Sequence, residues 1–202
     1  MREAVIVSTA RTGLAKAGRG SLNNTHGIKM AGHAIQHAIA RAGIEAAEVE
    51  DVYLGSAQPE GATGHNVARN AALWAGCPTS TAGATINRFC SSGLQAIANA
   101  AHTVINEGAS VAIGGGVESL SLVSHSGHMN MHRYVEDDLM AKHPAIWMTM
   151  IETAEIVAER YGVSRQYQDE YSAESQRRTA EFQKNGYMAE EIAPLATTMM
   201  LK

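Results

Sequence analysis

Between Thr85 and Ala98 the chain reads as the end of a buried strand, a sharp turn carrying a cysteine, and the start of an amphipathic helix. A thiol at that point sits over a helix N-terminus, where unpaired backbone N–H groups and the helix dipole favour a thiolate. A lone cysteine is more often a small buried apolar residue. Here, however, Cys90 is flanked by Asn87 and Arg88 on one side and by Ser91, Ser92 and Gly93 on the other, all poor core neighbours. Ser92 and Gly93 leave the backbone open for a ligand to approach closely. Cys90 is therefore the candidate nucleophile.

A strand–turn–helix unit of this kind belongs in an α/β layer, and its surroundings supply one. Ala4-Val5-Ile6-Val7-Ser8 is a short apolar run that predicts a strand in a sheet covered on both faces. Ile28, Ala31, Ala34, Ile35, Ala38, Ile39 and Ala42 recur at helical spacing and Gly43 ends the helix. Val49 to Gly55 predicts the next strand, so strand, helix and strand make a parallel crossover. His65 to Trp74 predicts a helix stopped by Gly76 and Pro78. After Cys90, Leu94, Ile97, Ala98, Ala101, Val104 and Ile105 share one helix face that ends at Gly108. Ser110 to Ile113 predicts a further strand leading into Gly114-Gly115-Gly116. The expected architecture is α/β, a mixed and mainly parallel sheet with helices on both faces.

The character changes after Glu118. Ser119 to Trp147 lacks periodicity, and two helices follow, one to about Tyr161 and one from the Ser164 cap to about Asn185-Gly186. This predicts an α/β domain over 1–118 and a largely helical domain over 119–202. The end at Thr197 to Lys202 reads as cut within an element. With a net charge of −4 and no basic block, nucleic acid is not an expected partner. No apolar run is long enough to cross a membrane and nothing resembles a signal peptide, so no membrane partner is expected. Cys77 and Cys90 make neither a disulfide framework nor a metal site, and a reduced cytoplasmic setting is the expectation.

Asn87-Arg88-Phe89-Cys90-Ser91-Ser92-Gly93-Leu94-Gln95-Ala96 closely resembles the acylation-site signature of thiolases, the acetyl-CoA acyltransferases. Ala4 to Thr12, Gly64 to Arg69, Gly114 to Ser121, and Thr153 to Ala158 with Ser164-Arg165 and Gln168-Asp169 are similar to further family blocks in the same order. Ser175-Gln176 and Glu191 to Pro194 continue the likeness. The resemblance implies a thiolase-like layered fold with a helical substrate-binding loop domain. It implies that Cys90 accepts an acyl group from acetyl-CoA or a 3-ketoacyl-CoA, and that a second acetyl-CoA or free coenzyme A then resolves the thioester. It implies no bound cofactor, coenzyme A thioesters as substrates, and a homodimer or tetramer. Thiolases are about twice this long, and their second half supplies a Gly-His-Pro histidine, an Asn-Glu-Ala-Phe asparagine and a second cysteine before a glycine run. None of these occurs here, which predicts no turnover from this chain alone and a need for the other half, on the same or a second chain.

The run Met148-Thr149-Met150-Ile151 departs from the Met-Gly usual in the family, and in place of the histidine of some acetoacetyl-CoA enzymes it has Thr149. This points away from the short-chain biosynthetic type and leaves a longer-chain degradative enzyme. Met150 has two readings, a contact to the acyl or pantetheine group and a core methionine at a helix start. His125, His128 and His132 invite a metal reading, but an aperiodic segment without supporting carboxylates predicts a solvated loop and no metal. Gly114 to Gly116 is no dinucleotide fingerprint, and is expected to let backbone pass close beside the active-site helix. Cys77 is expected to be inert, Glu136-Asp137-Asp138 to be a solvated turn, and Arg165–Asp169 to be a weak surface pair. Two other functional readings are a ketoacyl synthase, disfavoured by Phe89 before the cysteine and Gly93-Leu94-Gln95 after it, and a non-catalytic subunit that works only with a partner chain.

Overall fold

The computed structural model describes residues 2–125, 127 and 129–201. The chain forms two compact units, one of Met1–Met129 with Glu190–Lys202 and one of Asn130–Ala189. In the first, α1 (Gly27–Ala42), β1 (Asp51–Gly55), α2 (Val67–Trp74), β2 (Ala82–Ile86), α3 (Ser92–His102) and β3 (Ala112–Gly116) follow in order. The strands form a parallel sheet in the order β2-β1-β3, with Gly55 level with Ile86 on one side and Gly116 on the other.

Alternation along the strands decides which helix lies on which face. Val52 and Leu54 join Ile35, Ile39, Ala68, Ala71 and Ala72 in the main core, so one face carries α1 and α2. Tyr53 and Gly55 point the other way, where the Tyr53 hydroxyl meets Thr103 Oγ1 at 2.9 Å and Gly55 lies under the start of α3. Small residues allow this spacing. A Cβ on Gly114 would lie 2.6 Å from Ile97 Cα, so the glycine run does bring backbone close to α3. The glycines are themselves strand residues, so β3 begins and ends later than the apolar run Ser110 to Ile113 predicts.

Three other expectations are corrected. Ala4 to Ser8 is not a strand: Val5, Ile6 and Val7 are 75%, 78% and 70% exposed, because no described strand offers that run a ladder. Ladder-like pairing begins only at Arg11, whose N–H donates to Glu191 C=O at 3.0 Å and whose C=O accepts from Ala193 N–H at 2.8 Å. After His102 the helix widens into a π turn over Thr103–Glu107 before the left-handed Gly108 ends it, a step no residue spacing announces. Glu136 does not sit in a plain turn. Its carboxylate accepts from Asp138 and Leu139 N–H and starts α4 (Asp137–Lys142).

The second unit holds α4, α5 (Met150–Tyr161) and α6 (Arg165–Lys184). Thr149 and Glu152 cap α5 reciprocally, Gly162 closes it, and Ser164 caps α6, as the sequence signals require. The expected Arg165–Asp169 pair is present at 2.9 Å and is exposed on both sides. Among the described residues no helix is long and apolar enough to cross a membrane.

Candidate functional site

The three parallel strands end at Gly55, Ile86 and Gly116, and the loops that leave them are tied together. In open α/β sheets, ligands bind outside the carboxyl ends of the strands. The Glu118 carboxylate, just past β3, accepts from Ala57 N–H at 2.7 Å, Ser56 hydroxyl at 3.2 Å and Gln58 N–H at 3.3 Å. Asn87, just past β2, donates from Nδ2 to Ala57 C=O at 3.2 Å. The segment after β1 is thus held from both neighbours.

Cys90 stands on the turn between β2 and α3. Asn87 Oδ1 accepts from Phe89 N–H at 2.9 Å, an Asx turn that reverses the chain. Phe89 adopts φ +48°, the left-handed region, where a residue with a Cβ costs about 1–2 kcal/mol. Ser91 N–H donates to Arg88 C=O at 3.1 Å and Ser92 N–H to Phe89 C=O at 3.0 Å. The Ser92 hydroxyl accepts from Arg88 N–H at 2.8 Å and donates to Phe89 C=O at 2.6 Å. Ser91 is the N-cap of α3 but makes no side-chain cap bond. The helix therefore begins at the turn without a side-chain cap from Ser91. Further along, the Arg88 guanidinium donates to Gln95 Oε1, and Gln95 Nε2 to Asn99 Oδ1 at 2.7 Å.

The close seating of this helix start depends on Gly55. A Cβ there would lie 2.3 Å from Ser92 carbonyl carbon and 2.5 Å from Gly93 N, both main-chain atoms. Cys90 itself is exposed, whereas Cys77 is buried. Burial pushes the Cys77 thiol above the ordinary thiol range, with a hydrogen bond to Thr81 opposing that rise, which agrees with an unreactive thiol.

Met150 belongs to the helical unit, where it opens α5 and is 74% exposed. His132 is exposed in the same unit, His125 is exposed in the sheet unit, and His128 lies outside the described residues. Among the described residues no group of three His, Cys, Asp or Glu is placed to hold a metal. In the sheet unit a cleft of about 430 Å³ lies between the Arg11–Ala17 segment, α1 and the chain after β3, with Thr12, Lys16, Met30 and Leu120 among its walls. Sequence reasoning did not find Ser92 or Glu118 as site-building residues. A serine two places after the cysteine and a glutamate two places after a glycine run were the available signals.

Residues 4–201 match the family described as thiolase, N-terminal domain. A 3-ketoacyl-CoA thiolase of Bacillus subtilis (strain 168) is 39% identical over 199 residues, which are 98% of this chain and 50% of that protein. An acetyl-CoA acetyltransferase of Rhizobium meliloti (strain 1021) is 37% identical over 204 residues, 94% of this chain and 50% of that protein. The crystal structure of the Bacillus anthracis acetyl-CoA acetyltransferase superposes with a TM-score of 0.83 at 32% identity, covering 100% of this chain and 53% of that one. The chain spans about half the length of the curated relatives it matches.

Proposed function

The chain belongs to the thiolase family through its N-terminal domain, and we propose on that premise that Cys90 is the acyl-accepting nucleophile of a coenzyme A-dependent acyltransferase. The observation that carries this is an exposed cysteine on a strained turn, at the carboxyl end of a parallel sheet and the start of a helix. In thiolysis the Cys90 sulfur bonds to the 3-keto carbon and the bond from that carbon to its α-carbon breaks. Acetyl-CoA leaves with a proton on that α-carbon, and coenzyme A sulfur then displaces Cys90 to release the shortened acyl-CoA. Condensation runs the same bonds in reverse, starting from an acetylated Cys90.

Both directions need a general acid/base and donors for the developing oxyanion. The 202 residues contain no Gly-His-Pro histidine and no second cysteine before a glycine run, so these groups are assigned to sequence outside them. Met150, exposed at the head of α5, is assigned to the acyl or pantetheine group. The departure at Thr149 and Ile151 favours 3-ketoacyl-CoA substrates of fatty acid breakdown over acetoacetyl-CoA synthesis. A substrate-binding loop domain formed by the helical unit Asn130–Ala189, rather than by all of 119–202 as expected from the sequence, since 119–129 and 190–202 group with the sheet unit, belongs to the same reading. So do a cytoplasmic location and assembly as a homodimer or tetramer.

The test is turnover. A mass-verified 202-residue chain is expected to show no thiolysis or condensation, and the protein supplied with the missing half is expected to turn over and to lose activity with Cys90→Ala. Rates typical of a complete enzyme from the 202-residue chain, or full activity in Cys90→Ala, would contradict the proposal.

A further inference from the structure

We propose that Ser92 is the positioning residue of the acylation turn: its hydroxyl holds Phe89 in the left-handed region and so fixes where the Cys90 thiol points. The inference rests on the reading of Cys90 as nucleophile. Ser92 is 3% exposed, so it lies beneath the turn and not on its reactive surface. Its hydroxyl accepts from Arg88 N–H and donates to Phe89 C=O, joining the residues before Cys90 to the first residue of α3 after it. These two bonds close a small ring with Cys90 at its outer edge.

Phe89 is the residue in that ring with a reason to relax. At φ +48° its Cβ is strained, and such strain persists only where surrounding contacts over-determine it. Remove the hydroxyl and Arg88 N–H loses its acceptor, while Phe89 C=O keeps only the Ser92 N–H bond at 3.0 Å. Rotation of φ at Phe89 toward the right-handed region then swings the Cys90 residue directly. The anchor end does not move, because the Ser92–Gly93 backbone is seated against Gly55. Ser92 therefore connects the nucleophile to the sheet through a short, stiff path.

The test is a double-mutant cycle in the turnover-competent protein. Ser92→Ala is expected to lower kcat by about tenfold to a hundredfold with KM for the acyl-CoA unchanged within about twofold, as misplacement of a reacting atom does. Glycine adopts φ +48° without a Cβ, so in a Phe89→Gly background the Ser92→Ala change is expected to cost only about threefold or less. Undiminished kcat in Ser92→Ala, or effects of the two changes that simply multiply, overturns the positioning role. If Ser92→Ala alone does not fold, the double variant decides: folded and active near the Phe89→Gly level supports the role, and unfolded overturns it. Single-turnover acylation of the unmutated protein separates the two readings. No acyl group on Cys90 there overturns the nucleophile and the inference with it, whereas equal acylation rates with and without the Ser92 hydroxyl overturn the inference alone.

Discussion

The two units are stabilised in opposite ways. In the sheet unit Val52, Val67, Ala68, Ala71 and Ala72 are fully buried, and main-chain atoms of α3 touch the sheet through glycine positions. In the helical unit neither α5 nor the 20-residue α6 contains a buried residue. What stabilises them within the unit is local: the Thr149–Glu152 capping box, the Ser164 cap, and the ion-pair chain in which Glu174 meets Arg177 and Arg178 while Arg177 also meets Glu181. Exposed pairs of this kind contribute about 0–1 kcal/mol each, and isolated helices in water are marginal. Chemistry that needs a fixed atom belongs on the first unit. Cys90 is there.

Two glycines turn that contrast into a measurement. Gly55→Ala forces a Cβ into the Ser92–Gly93 backbone and is expected to destabilise the sheet unit by about 3 kcal/mol, read as a fall in the urea midpoint. Gly162→Ala meets nothing within 4 Å and bears only the cost of φ +64°, expected at about 1 kcal/mol and confined to the α5–α6 turn. Equal losses at both sites would erase the distinction between backbone contact and local conformation.

The division between what the residues announced and what they concealed follows the same line. Signals carried by short-range chemistry were legible: Gly43 ending α1, Ser164 starting α6, and a cysteine at a strand–helix turn. Features that depend on distant partners were not. Ala4 to Ser8 has the composition of a buried strand, yet strand pairing requires a neighbour and no described strand provides one. The Glu118 carboxylate finds its partners only when the ends of β1 and β3 converge, and the left-handed Phe89 is visible only once the Ser92 hydroxyl is seen beneath it. An aromatic residue is also a poor guess for a positive φ.

The smallest expected effect lies in the helical unit. Hydrogen bonds from Arg177 and Arg178 hold the Glu174 carboxyl at about 2, below its ordinary 4.5. A folded-state value below the unfolded one means the stabilisation is complete above about 4.5 and is lost as pH falls from there through about 2. Glu174 is only partly shielded from solvent and its arginine partners are exposed, so α6 helicity is expected to fall only slightly across that window and less at high salt. A carboxyl titration by NMR with its midpoint in the ordinary glutamate range would remove the ion-pair chain from the list of what orders α6.

The most direct test of the central claim is to trap the acyl group. The turnover-competent protein is mixed with an acyl-CoA, quenched in acid within one turnover, digested and examined by mass spectrometry. The predicted result is a single acyl adduct on the peptide carrying Cys90, none on the peptide carrying the buried Cys77, and none at all in Cys90→Ala. An adduct elsewhere, or turnover that proceeds with Cys90 never acylated, would contradict it.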